Sequence, residues 1–155
     1  MGTEPVFNVG TDYGGNIQAA LDAVSASQAF LARGGTVYVP RGQYVVTNPL
    51  LVRGGRIILR GENLDTLIHP SIDNQPVVKL DGNNPAGYGV HDFKMETLQI
   101  IGLSQRSGNI GLYCKGEGGY FPSGLRFENV FISAVSAVEA VRRAQERSTR
   151  VDADE

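Results

Sequence analysis

The chain has 155 residues, enough for one domain with its own apolar core. Gly is abundant at 20 residues and charged residues make up 19 %, a balance that suits short strands joined by corners and not a helical bundle. A formal net charge of −2 gives no reason to expect nucleic acid or an anionic membrane surface, and no apolar run approaches the ~20 residues that span a bilayer.

Residues 1–15 read as an irregular lead. Met1-Gly2-Thr3-Glu4-Pro5 lacks the basic stretch and apolar core of a secretory signal. Val6 stands where a myristoylation motif needs Ser or Thr. Residues 16–33 read as a helix. Asn16 is its N-cap; Ile17, Ala20, Leu21 and Val24 share one face, Phe30 and Leu31 extend it, and Gly34 stops it. From Thr36 the period changes to two. Val37-Tyr38-Val39 makes a strand, and Pro40-Arg41-Gly42-Gln43-Tyr44 turns the chain into another.

Later segments repeat one template. Phe93–Ile100 matches Leu125–Ile132 position by position. Ile57–Arg60 and Val37–Pro40 fit its first half, and Leu67-Ile68 falls in its second. Leu50–Val52, Val77–Leu80 and Ile110–Cys114 add a further apolar piece to each cycle. The pattern predicts roughly three strands per turn and about three and a half turns, with inserted loops at 81–88 and 115–123. Val37, Val39, Ile57, Leu59, Phe93, Met95, Leu125 and Phe127 should form one buried stack. The repeating domain is expected over 16–138, its last strand at Ser133–Val138. Residues 139–155 read as a tail, with a short charged helix at Glu139–Arg147 and a polar, disordered end. Cys114 is the single cysteine and reads as a small buried hydrophobe.

The segments Ile17–Val24, Gly34–Val46 and Ile58–Asn63 together resemble the opening of the pectate-lyase-like right-handed parallel β-helix superfamily. That superfamily includes bacterial polysaccharide-degrading enzymes and phage tailspike depolymerases. The resemblance covers roughly residues 5–133. It implies an all-β fold: a right-handed single-stranded parallel β-helix, or solenoid, with an N-terminal capping α-helix, followed here by the short C-terminal helix. It also implies polysaccharide as the substrate, lyase or glycoside hydrolase as the reaction, an extracellular or virion-associated location, and a homotrimer among the assemblies to consider. Members of the family usually run for several more turns, so the chain looks like an N-terminal portion. A non-catalytic structural or carbohydrate-binding module of a phage tail fibre is the alternative.

The repeat also nominates a site. Equivalent positions in successive cycles stack ~4.8 Å apart. One outward column reads Tyr38, Ile58, Lys94, Arg126, and its neighbour reads Pro40, Arg60, Glu96, Glu128. Glu96 and Glu128 are the candidate catalytic pair, because close carboxylates push their pKa values apart. Arg60, Lys94, Arg126 and Tyr38 are the candidate substrate-binding residues. A solvated charge ladder is the simpler alternative for the same residues. His91-Asp92 and His69 lack metal-ligand spacing, and no cofactor is expected. Asp73, Asp81 and Asp92 are the only candidates for a calcium site, and corner hydrogen bonding suits them better. Tyr88, Tyr120, Phe121 and Phe131 are aromatic positions that would stack on sugar or fill a contact. No nucleophile elbow, phosphate loop or dinucleotide fingerprint is present.

Overall fold

The computed structural model describes residues 5–27, 34–81, 90, 92–103, 109–115, 124–133 and 136–141. Phe30, Leu31, Tyr88, His91, Tyr120, Phe121, the segment from 142 onward and the side chain of Cys114 lie outside the described residues.

Order begins earlier than the sequence suggests. Strand β1 (Val6–Asn8) leads into a short helix α1 (Val9–Tyr13) where an irregular lead was expected. Asn8 makes that turn: its Oδ1 accepts from the amides of Gly10 and Thr11 at 2.9 and 3.0 Å. Gly14 closes it in the left-handed region at φ 58°. Helix α2 (Ile17–Ser27) follows, capped by Asn16, whose Oδ1 accepts from the Ala19 amide at 3.0 Å. Ile17, Ala20, Leu21 and Val24 are buried, as their spacing predicts. The helix packs over β1, α1 and the next strands.

The remaining strands are β2 (Gly35–Val39), β3 (Gly42–Val46), β4 (Leu50–Val52), β5 (Ile57–Gly61), β6 (Thr66–Pro70), β7 (Pro76–Asp81), β8 (Lys94–Ile101), β9 (Ile110–Lys115), β10 (Arg126–Ser133) and β11 (Ser136–Val141). Every pairing is parallel. A seven-stranded sheet runs β1-β2-β5-β8-β6-β3, with β10 on the other edge of β8. A four-stranded sheet runs β11-β9-β7-β4. The core lies between them. Val37, Val39, Leu59, Met95, Leu98 and Ile100 face Val52, Val78, Leu80 and Leu112, with Leu21 and Val24 of α2 closing one end.

This corrects the expected fold. Among the described residues the strands form a parallel sheet curled into a half-barrel beside a second sheet, and no closed right-handed β-helix. The physical reason lies in β8. Its first half pairs with β5 and its second half with β6, so one continuous strand carries both arms of a single bent sheet. The bend falls at Thr97, which has φ 56°; Asn129 repeats it on β10 at φ 53°. The start of the expected helix at Glu139–Arg147 is corrected as well. Ser136–Val141 pairs with β9 instead, because the ladder overrides the helix propensity of Glu139 and Ala140; residues 142–147 lie outside the described residues.

The stack itself is largely as expected. Val37, Val39, Ile57, Leu59, Phe93 and Met95 are fully buried. Leu125 is only half-buried and Phe127 is 44 % exposed. Both belong to the last layer, since β10 pairs only with β8.

Candidate functional site

β8 and β10 build the site. Their ladder sets Arg126 against Lys94, Phe127 against Met95 and Glu128 against Glu96. On the other edge of β8, Ile58 faces Lys94 and Arg60 faces Glu96. These three strands follow the register read from the repeat. The first strand does not. Thr36 pairs with Ile58 and Tyr38 with Arg60, a slip of two residues from the expected alignment. A two-residue slip leaves every side chain on its own face, so alternation alone does not detect it.

The corrected columns are Thr36, Ile58, Lys94, Arg126 and Tyr38, Arg60, Glu96, Glu128. All six candidate residues therefore fall on two neighbouring columns, and Tyr38 takes the place expected for Pro40. Tyr38 is half-buried, Arg60 and Arg126 are exposed, and Phe131 stands 55 % exposed beyond the bend.

Glu96 is the centre of the arrangement. Its side chain is only 8 % exposed, although its column faces outward. The Arg60 Nε–H donates to Glu96 Oε2, and Lys94 Nζ lies 2.9 Å from Oε1. Lys94 Nζ also lies 3.6 Å from Glu128 Oε2, so one ammonium bridges both carboxylates. The two acids are thus well inside the ~9.5 Å limit of glycosidase pairs. Burial pushes the Glu96 carboxyl up, but the hydrogen bonds from Arg60 and Lys94 and their charges outweigh it and hold the group below the usual range. Lys94 is raised, chiefly by its hydrogen bond to Glu96. Glu128, by contrast, stands at the rim with 62 % of its side chain exposed.

A glycosidase or lyase needs a group that carries or takes a proton near neutral pH. Glu96 is held as a carboxylate with each oxygen already engaged by a cation. Glu128 stands exposed at the rim. The arrangement can hold strands in register and present positive charge from Arg60 and Arg126. It leaves Glu96 poorly placed to act as an acid.

The other candidates disperse. His69 Nδ1 is hydrogen-bonded to the Ile101 carbonyl at 3.0 Å. Asp81 is bound by Arg53 at 3.0 Å. Among the described residues no three metal-ligating side chains meet. Sequence reasoning missed two features. One is the Arg53–Asp81 pair, which lies one step past the register that sets Val52 against Leu80. The other is Gln18, whose Oε1 accepts from the Leu51 amide at 2.7 Å and whose Nε2 donates to the Leu51 carbonyl at 3.2 Å. That side-chain amide continues the ladder on the open edge of β4. The only sequence signal is a polar residue on the helix flank beside an apolar strand.

No protein-family model matches the chain, and no curated protein matches it. Among solved structures it is similar to ORF18 of Geobacillus virus E2, with a TM-score of 0.62 and 24 % sequence identity. The likeness covers 81 % of this chain and 25 % of that one, so the chain spans about a quarter of its length. It is a likeness of fold.

Proposed function

We propose that this chain is a non-catalytic structural module of a larger, virion-associated protein. The observation that carries the proposal is the state of Glu96, covered and ion-paired by Arg60 and Lys94. An ion ladder of this kind fixes the register of stacked parallel strands. The fold likeness to a stretch of a viral protein supports the setting.

The second reading follows the sequence resemblance: a polysaccharide lyase or glycoside hydrolase with Glu96 and Glu128 as its pair, and Arg60, Lys94, Arg126 and Tyr38 on the sugar. The observation in its favour is that both carboxylates share Lys94. One assay separates the two. The full chain is incubated with a panel of acidic and neutral polysaccharides, and reducing ends and unsaturated products are measured. A structural module releases neither above the blank. Release that Glu96→Gln abolishes while the variant remains folded at the assay temperature overturns the proposal.

A further inference from the structure

Two of the three strands in the first layer have their outer edges covered. β1 pairs with β2. On β4, the Gln18 side chain bonds both backbone groups of Leu51. β3 differs: it ends the order of its sheet and pairs only with β6. We propose that this free edge binds an extended, uncharged peptide segment of a partner protein as an added strand. The inference does not rest on the ion ladder, so its failure would leave the structural role standing.

Successive residues of a strand turn their N–H and C=O groups to opposite edges. The Gly42 amide donates to the Asp65 carbonyl at 3.0 Å, and the Val46 carbonyl accepts from the Ser71 amide at 2.7 Å. Gly42, Tyr44 and Val46 therefore turn their backbone groups toward β6. Gln43 and Val45 turn theirs the other way, and no described residue pairs with them. The two stand about 6.6 Å apart, the two-residue repeat of an extended chain. A cleft of about 570 Å³ runs along this edge. Residues 43–50 form one wall, the start of α2 at residues 15–18 forms the other, and β6 contributes none of the lining. On either side of the cleft β1 and α2 already cover β2 and β4, so the outer layer of a folded second copy would strike them before reaching β3. A single extended strand fits between them.

The side chains around the edge define the segment. The lining carries no Asp, Glu, Lys, Arg or His. An added strand points alternate side chains to opposite faces. One set would enter the cleft beside Tyr44, Ile17 and Leu50; the Tyr44 hydroxyl donates to the Pro40 carbonyl at 2.6 Å and so fixes that wall. The other set would lie on the outer face with Val45, which is 60 % exposed. A charged side chain entering the cleft would be desolvated with no counter-ion. Main-chain hydrogen bonds thus supply the binding, and the uncharged lining selects the sequence.

The test is amide-resolved NMR with hydrogen exchange on the full chain. In the free protein the Gln43 and Val45 amides should exchange as unbonded groups, and the Tyr44 amide slowly. A capped hexapeptide alternating threonine and valine should shift the amides of residues 15–18 and 43–50 and slow exchange at Gln43 and Val45 at least tenfold. Its fully N-methylated analogue and a capped hexalysine should each bind at least tenfold more weakly. Val45→Pro removes an edge amide and no bond to β6, and should abolish binding with the thermal midpoint within a few degrees. Should that variant unfold, the exchange pattern of the unsubstituted chain decides by itself. Slow exchange at Gln43 and Val45 in the free monomer would show that the chain covers this edge itself, and slowing that grows with protein concentration would assign it to a second copy. Either result overturns the proposal. So does equal binding of the N-methylated analogue, or no binding of the threonine–valine peptide.

Discussion

Arg60 and Glu96 are register partners on adjacent strands, and the guanidinium of one donates to the carboxylate of the other. Lys94 closes on the remaining oxygen. Glu96→Gln keeps the shape and removes the charge, leaving two cations facing a neutral amide. The expected loss is about 1.5–3 kcal/mol in chemical denaturation, the range for hydrogen bonds to a buried charged group. A loss under about 0.5 kcal/mol would mean that solvent screens the ladder as it does an exposed pair.

The same ladder sets a pH dependence. The folded-state pKa of Glu96 lies below the ordinary glutamate value of 4.5, so its contribution is complete above that pH and is lost as pH falls through the folded value. Lys94 is shifted up from 10.5, so its contribution is complete below that pH and is lost as pH rises through the folded value. Thermal midpoints of the protein and of Glu96→Gln should differ most between these limits. They should converge in acid. A gap that persists at pH 2 would assign the stabilisation to shape instead of charge.

Met95 and Phe127 occupy one column but differ in cover. Met95 is fully buried, and Met95→Ala should cost ~2–5 kcal/mol through the cavity it leaves. Phe127 is 44 % exposed on the last layer, and Phe127→Ala should cost less than about 1.5 kcal/mol. Equal losses in denaturant titrations would show that β10 is covered in solution.

Gly61 lies against the bend of β8 at Thr97. A Cβ there would overlap the carbonyl oxygen of Thr97 and lie 2.9 Å from Thr66 Cβ. Neither neighbour is a flexible chain end, so Gly61→Ala should cost about 2–3 kcal/mol. Thr97 itself holds φ 56°, a strained value for a β-branched residue. Thr97→Asn should relieve part of this and raise the thermal midpoint by roughly 2–4 °C. A lower midpoint would show that the Thr97 side chain is worth more than the strain.

The sequence repeat made one layer pairing legible and left another ambiguous. Lys94-Met95-Glu96 and Arg126-Phe127-Glu128 align because they share charge order as well as alternation. Val37-Tyr38-Val39 offers alternation only, and either of two registers satisfies it; the ladder takes the one that sets Val39 against Gly61. The helix face at Ile17, Leu21 and Val24 was readable from spacing. The half-barrel was not, because it depends on how β8 divides its partners, and strand runs do not encode that. The site was readable as a set of residues. The cover over Glu96 was not, because burial of an outward carboxylate depends on where two long cationic side chains come to rest.

The division of β8 between two arms has a consequence for how the protein opens. Lys94–Ile101 is hydrogen-bonded to β5 and β6 on one edge and to β10 on the other. Neither arm can swing away without breaking the strand that holds its neighbour, so the two arms should melt as one cooperative unit. In hydrogen–deuterium exchange the amides of β8 should be among the last to label and should share one opening free energy. The amides of β1, paired on a single edge to β2, should label first and leave that unit intact.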